Sequence, residues 1–235
     1  MTSELLYGRR PVREAIRGPR DVLELWATER ALKAEPWLSD AGVRVQVKPE
    51  RELTAEAGTQ DHQGVLARVE PFRYADAHDL AAGAAPLLAV LDSVTDPRNL
   101  GAVIRSAEGA GADGVVLPAH NSARVTPAVV RASAGAVEHV PVAVVKNLAR
   151  YLGEIKAPQL WIWAAASDAE TTVWQADLSG GAVFVLGAEG KGLRPLVRRS
   201  CDDAVSIPLE GKVESLNVSV AAALLLYEAR RQRGG

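Results

Sequence analysis

At 235 residues with 48% hydrophobic and 24% charged content, the chain holds enough apolar material for one large core or two smaller ones, which excludes a disordered polymer. A net charge of −2 excludes the overall positive field of a globally basic nucleic-acid binder, so any RNA contact has to come from local patches. One cysteine, Cys201, excludes an intramolecular disulfide and, with no charged-then-apolar leader at the start, predicts a cytoplasmic location.

Arg9, Arg10, Arg13, Arg17 and Arg20 crowd the first twenty residues, opposed only by Glu4 and Glu14. A charge run of this kind is either a solvated helix face or an RNA-contacting patch. A helix is predicted around Val12 to Arg17, then an apolar stretch at Val22 to Trp26, a helix from Thr28 to Leu38 and a strand-type alternation from Val43 to Val47. From Arg73 to Pro86 the sequence turns small and soft, which is a linker composition. The expected organisation is a small α/β domain over residues 1–72, a linker over 73–86 and a larger domain over 87–235.

Beyond the linker, apolar runs of strand length occur at Leu87 to Leu91, Val115 to Leu117, Val142 to Val145, Leu160 to Ala164, Val183 to Leu186 and Ala204 to Ile207. Helix-like segments separate most of them: Leu100 to Ala110, Pro127 to Ala136 with Thr126 as its cap, Leu148 to Ile155 and Leu193 to Arg199. Continuous apolar strands alternating with helices predict a mostly parallel sheet covered on both faces. A closing helix runs from Leu216 to about Arg233. Its apolar stretch, Val218 to Tyr227, is about half of the ~20 residues that span a bilayer, so it reads as a buried helix covered by the core and by a second subunit.

Several familiar chemistries find no support. Gly109-Ala-Gly111-Ala-Asp-Gly114 is a literal G-x-G-x-x-G, but it follows a helix and leads into a strand, the reverse of a dinucleotide-binding turn, and so reads as a helix stop. Gly190-Lys191 lacks the Ser or Thr of a phosphate-binding loop. His62, His78, His120 and His139 are scattered without ligand spacing, so no metal is expected, and no G-x-S-x-G elbow is present.

Three segments exceed what core packing asks for. Asp96-Pro97-Arg98-Asn99-Leu-Gly101-Ala-Val-Ile-Arg105 lies at a strand exit entering a helix, where open α/β sheets place their ligands; the competing reading is that Asp96 and Asn99 cap that helix. Gly187-Ala-Glu189-Gly190-Lys-Gly192-Leu193 again follows a strand, and three glycines in six residues cost order unless unusual dihedrals or a close ligand require them. Ile207-Pro208-Leu209-Glu210-Gly211-Lys212-Val-Glu214-Ser215-Leu216-Asn217-Val218 leads into the closing helix. There Ser215 is the expected cap, and capping leaves Asn217 unexplained.

In this order and spacing, the three segments resemble the signature motifs of the SpoU/TrmH branch of the SPOUT RNA methyltransferases. The N-terminal Tyr7-Gly8-Arg9-Arg10-Pro-Val and Asp61-His62-Gln63-Gly64-Val65 are similar to the substrate-binding domain of the 23S rRNA guanosine-2′-O-methyltransferases. The resemblance implies a Rossmann-like, mostly parallel α/β sheet closed by a deep C-terminal trefoil knot, a homodimer, and methyl transfer from S-adenosylmethionine to an RNA ribose 2′-hydroxyl without a metal. It implies a catalytic group of Asn99, Arg105, Glu189, Ser215 and Asn217, and a cofactor site made by Gly187, Gly192, Ile207, Leu209, Ser215 and Leu216. RNA contact is expected from Arg9, Arg10 and Arg13, with Arg98 and Lys212 near the site. Ribosomal RNA is the expected substrate; a transfer RNA methyltransferase, an enzyme of another ribosomal position of the antibiotic-resistance type and a non-catalytic assembly factor are the alternatives.

Overall fold

The computed structural model describes residues 3–188, 190 and 192–234. It divides into two compact units, one built from the stretch up to Arg73 together with Val125–His139, the other from Tyr74–Arg124 and the stretch from Val140 onward.

The first unit begins with β1 (Glu4–Tyr7), α1 (Arg9–Arg17), β2 (Val22–Ala27), α2 (Glu29–Ala34), β3 (Val45–Val47), α3 (Glu50–Ala57) and β4 (Val65–Val69). Its sheet runs β1-β4-β2-β3, with β4 antiparallel to both neighbours and β3 parallel to β2. Leu6, Val12, Leu25, Leu38, Leu53 and Leu66 are buried inside it. The helix expected from Thr28 to Leu38 stops at Ala34, because Pro36 disfavours helical geometry at Glu35, which sits at φ −124° and ψ 88°. One 3₁₀ turn, Pro36–Leu38, follows. The strand expected from Val43 starts at Val45, and β1, α3 and β4 are elements that the sequence pattern did not announce.

The second unit continues with α4 (Ala77–Ala81), β5 (Leu87–Asp92), α5 (Pro97–Gly109) and β6 (Gly114–Pro118). The chain then makes its excursion into the first unit, where it forms α6 (Pro127–Ala132). It returns for β7 (Val142–Val145), α7 (Leu148–Glu154), β8 (Leu160–Ala165), β9 (Gly181–Gly187), α8 (Pro195–Ser200), β10 (Asp203–Val205) and α9 (Val218–Gln232). The six strands lie in the order β10-β8-β9-β5-β6-β7 and every pair is parallel. Alternating residues face opposite ways: Leu88, Val90, Val183 and Val185 pack with Leu148, Leu152 and Val197 of α7 and α8, while α5 and α9 pack on each other and on the other face. Ser206 and Ile207, expected at the end of the last strand, lie beyond it.

The end of α9 is clasped to the sheet. Arg233 donates to the carbonyls of Ala85 (3.0 Å), Pro86 (3.2 Å), Leu178 (3.3 Å) and Gly180. Gln232 donates to the Ala176 carbonyl (3.1 Å) and accepts from the Leu178 amide (2.8 Å). No helix among the described residues is long and apolar enough to cross a membrane.

The excursion is held by charge as well as packing. The helix expected over Pro127 to Ala136 is α only to Ala132, since Ala134 (φ 54°) and Gly135 (φ 89°) turn left-handed; Thr126 stands at its start without a side-chain capping bond. A side chain at Gly135 would come within 2.6 Å of the Glu14 Cβ on α1, so this turn needs glycine twice over. Arg20, 7% exposed, binds Glu138, 6% exposed, through Nε (2.9 Å) and a second, shorter contact. It also pairs with Glu4 at 2.8 Å, so one arginine of the N-terminal cluster is an internal anchor. Removing one partner of a buried pair strands the other charge at a cost of ~3–5 kcal/mol. Arg20→Ala is therefore expected to unfold at clearly lower denaturant concentration than the parent chain, and an unchanged midpoint would show the pair to be dispensable.

Candidate active site

In a parallel sheet the C-terminal ends of all strands lie along one edge, and the loops leaving that edge form the ligand crevice. Here the loops after β8, β9 and β10 enclose a cavity of about 580 Å³. Gly187, Gly192, Ile207, Leu209, Ser215 and Leu216 all stand on its wall. They come from two segments separated by α8 and β10, brought together because β9 lies beside β8 and β8 beside β10.

The glycine loop after β9 folds back on itself. The Gly192 amide donates to the Ala188 carbonyl (2.9 Å), and a side chain at Gly187 would run into the backbone of Gly192 and come within 2.6 Å of the Leu193 nitrogen. Glycine is required there by the loop's own return path. Glu189, expected among the catalytic residues, lies outside the described residues.

A third wall, Ala165 at the end of β8 with Ala166, Ser167 and Asp168 after it, had no motif to mark it. Its one signal is position, a polar pair directly after an apolar strand. Asp168 meets Arg198 of α8 through two bonds (3.0 and 2.9 Å), and that guanidinium holds its carboxyl below the usual range. The volume falls within the ~300–1,000 Å³ typical of small-molecule sites, and the lining of alanine, glycine, isoleucine and leucine leaves backbone groups accessible beside apolar surface. That composition suits a flat base and ribose, so S-adenosylmethionine fits the residues present. Cys201 is outside the cavity wall, and burial pushes its thiol up to about 12, which leaves no thiolate for covalent chemistry.

The helix-cap assignment made from sequence changes. The closing helix begins at Val218, and its cap is Asn217, whose Oδ1 accepts from the Ser219 amide (2.9 Å) and hydroxyl (2.6 Å). Ser215 caps nothing and is an exposed wall residue. Asn217 Nδ2 donates to Asn99 Oδ1 at 3.0 Å, so two residues of the expected catalytic group meet across 118 positions of chain. On α5, Asp96 alone takes the cap, accepting from the Arg98 amide (2.8 Å). Asn217 sits between Leu216 and Val218, both on the cavity wall, so the asparagine pair lies at its rim.

Arg105 is exposed on α5, away from that helix's buried side of Leu100, Gly101, Val103, Ile104 and Ala107. It forms no hydrogen bond or ion pair with a described residue. Arg98 and Lys212 are likewise exposed.

In the first unit, Arg9 lines a separate groove of about 810 Å³ with Arg30, Lys48, Thr28, Gln63 and Gly64 among its neighbours. The two N-terminal motifs converge there: the Arg9 amide donates to Gln63 Oε1 (3.1 Å), Nε to the Gln63 carbonyl (3.3 Å) and Nη1 to Glu35 (2.8 Å). Arg10 is exposed, and Arg13 is half-buried with its Nε lacking a partner.

Gly187→Ala is expected to weaken S-adenosylhomocysteine binding at least tenfold in calorimetry while circular dichroism shows a folded chain. Equal affinity would remove the returning loop from the cofactor site.

The comparisons with known proteins follow the same division. The family model described as SpoU rRNA Methylase matches residues 86–227, and the one described as RNA 2′-O ribose methyltransferase substrate binding matches residues 5–75. A 23S rRNA (guanosine-2′-O-)-methyltransferase RlmB of Vibrio vulnificus is 40% identical over 99% of this chain and 98% of its own length. An uncharacterized tRNA/rRNA methyltransferase of Synechocystis is 40% identical over 98% of this chain, which spans 63% of that longer relative. Among solved structures, the SpoU methyltransferase AviRb of Streptomyces viridochromogenes in complex with AdoMet superposes with a TM-score of 0.84 at 27% identity, over 99% of this chain and 92% of AviRb. On both the sequence match and the fold, this chain belongs to the SpoU rRNA methylase family.

Proposed function

We propose that this chain is an S-adenosylmethionine-dependent RNA methyltransferase that modifies the 2′-hydroxyl of a guanosine ribose in 23S ribosomal RNA. The observation that carries the reading is the Asn217–Asn99 bond at the rim of a cavity of cofactor size, with Arg105 left exposed on the same helix as Asn99. Full-length likeness to enzymes named for 23S guanosine methylation supports the substrate.

When bound, S-adenosylmethionine supplies a methyl group already activated on a sulfonium. The residues then have two tasks, alignment, which can contribute ~7–11 kcal/mol, and assisted proton removal, worth typically ~10²–10⁴-fold. Positioning dominates. A guanidinium offers donors and no acceptor lone pair, so Arg105 is not the base. Its role is to grip an RNA phosphate and stabilise the developing alkoxide, while Asn99 and Asn217 order the rim and the 2′-proton leaves to a neighbouring group or water. On the first unit Arg9, Arg10 and Arg13 provide phosphate contacts, and on the second Arg98 and Lys212 do so.

The enzyme works as a cytoplasmic homodimer. Val220, Leu224 and Tyr227 stand exposed at 47%, 38% and 51% along one face of α9, a stripe suited to a second copy. The route from β10 at the sheet edge back to α9, packed against α5 and β9, supports the trefoil knot.

Incubating unmodified ribosomal RNA and transfer RNA with labelled methyl donor, then mapping the product by mass, is expected to place the methyl group on a 23S guanosine ribose; labelling of transfer RNA alone would reassign the substrate. Arg105→Ala is expected to lower turnover at least a hundredfold with S-adenosylhomocysteine affinity within twofold of the parent, and Arg105→Lys to restore little of it. RNA affinity is expected to fall steeply with salt, and each of Arg9, Arg10 and Arg13 replaced by Gln to flatten the log–log slope by roughly 0.7; a slope insensitive to all three places the RNA elsewhere.

A further inference from the structure

Asp92 is the last residue of β5 and is 0% exposed, yet it takes no part in the chemistry above. A carboxylate removed from water must be paired and hydrogen-bonded to remain charged. Its partners are all local to one loop junction. Oδ2 accepts the Arg194 backbone amide at 2.9 Å, and Oδ1 accepts Arg194 Nε at 2.7 Å and the Ser93 hydroxyl at 3.2 Å.

The position of these bonds gives them meaning. In the β5–β9 ladder Asp92 lies directly opposite Gly187, where the glycine loop leaves the sheet. Arg194 is where that loop lands, immediately before α8. One side chain therefore stands beside the loop's first residue and holds its landing point, and it fixes the span of a segment that carries glycine at 187, 190 and 192. On its other side Asp92 passes straight to Ser93, held at φ 64°, and then to the loop that starts α5 at Asp96. A non-glycine residue at positive φ persists where its surroundings over-determine it, and a fully buried neighbour provides that constraint.

We propose that Asp92 is a positioning residue for methyl transfer, a clamp that sets the cavity width at Gly187–Leu193 and ties it to the helix bearing Asn99 and Arg105. It touches neither the RNA nor the methyl donor; it acts through the loop. Arg194 is the adjustable half. Its backbone amide keeps the main bond, and its side chain, 53% exposed, adds the second through Nε.

Asp92→Asn keeps the shape but turns a donor toward Arg194 Nε, so one bond becomes a repulsion. The inference rests on the cavity being the cofactor's, and wild-type calorimetry with S-adenosylhomocysteine tests that separately: no binding by the wild type overturns the cofactor reading itself. Given wild-type binding, D92N is expected to bind S-adenosylhomocysteine at least tenfold more weakly with RNA affinity within twofold. The double variant D92N/R194A, which removes the opposing donor and leaves the backbone bond, is expected to recover to within about twofold of R194A alone. A folded D92N with unchanged cofactor affinity, or one in which cofactor and RNA binding fall together and R194A rescues neither, overturns the proposal. Should D92N fail to fold, R194A decides: about threefold weaker cofactor binding is expected with the RNA affinity kept, and an unchanged value overturns it.

Discussion

The amide of Asn217 is the point on which the catalytic unit turns. A helix start leaves backbone N–H groups without partners, and the Asn217 oxygen satisfies one while the nitrogen of the same amide donates elsewhere. That nitrogen reaches Asn99 in the first turn of α5, so the starts of α5 and α9 are stitched by one planar group. An aspartate would cap equally well but would turn an oxygen toward the oxygen of Asn99; a serine would cap with too short a reach. Only an amide of this length presents an acceptor and a donor at once, which explains a residue that capping by Ser215 left unexplained.

That stitch matters because of where the chain has just been. β10 forms one edge of the sheet, whereas α9 packs on α5 and on the central strands β5 and β9. The segment between has to cross from edge to middle, and it carries Ile207, Leu209, Ser215 and Leu216 along the cavity wall. Its far end is pinned by Asn217, and the helix beyond by Gln232 and Arg233 on the carbonyls of the β8–β9 connection and the lead into β5. Insertion of β9 between β8 and β5 completes the arrangement, since it brings the glycine loop beside the loops after β8 and β10.

How far the sequence discloses this depends on burial. The strands of the second unit were legible because a parallel sheet covered on both faces needs unbroken apolar runs, and Leu87 to Leu91, Val142 to Val145 and Leu160 to Ala164 are such runs. In the first unit, β1 is four residues and half-buried, and β4 pairs at long range with β1 and β2, so local pattern carries little of them. The glycine loop could be found because its composition is costly without a purpose; the Ala165–Asp168 wall could not, because its composition is ordinary. Arg20 was hidden for another reason. Its partner Glu138 is 118 residues away, on a stretch that by rhythm reads as one more helix of the parallel sheet and by contact belongs to the first unit.

The arginines show why a net charge of −2 is compatible with RNA work. A guanidinium offers five donors, and what distinguishes one from another is how many the fold has already used. Arg20 spends its donors on Glu138, Glu4 and the Glu70 carbonyl, and Arg233 on four carbonyls. Arg198 spends two on Asp168, and Arg194 keeps its outer edge while its Nε is held. Arg105, by contrast, stands on α5 with its donors uncommitted among the described residues, six residues beyond Asn99. Side-chain entropy makes an exposed arginine with uncommitted donors a poor contributor to stability, so folding gives no account of this residue, and the proposed grip on an RNA phosphate would supply one.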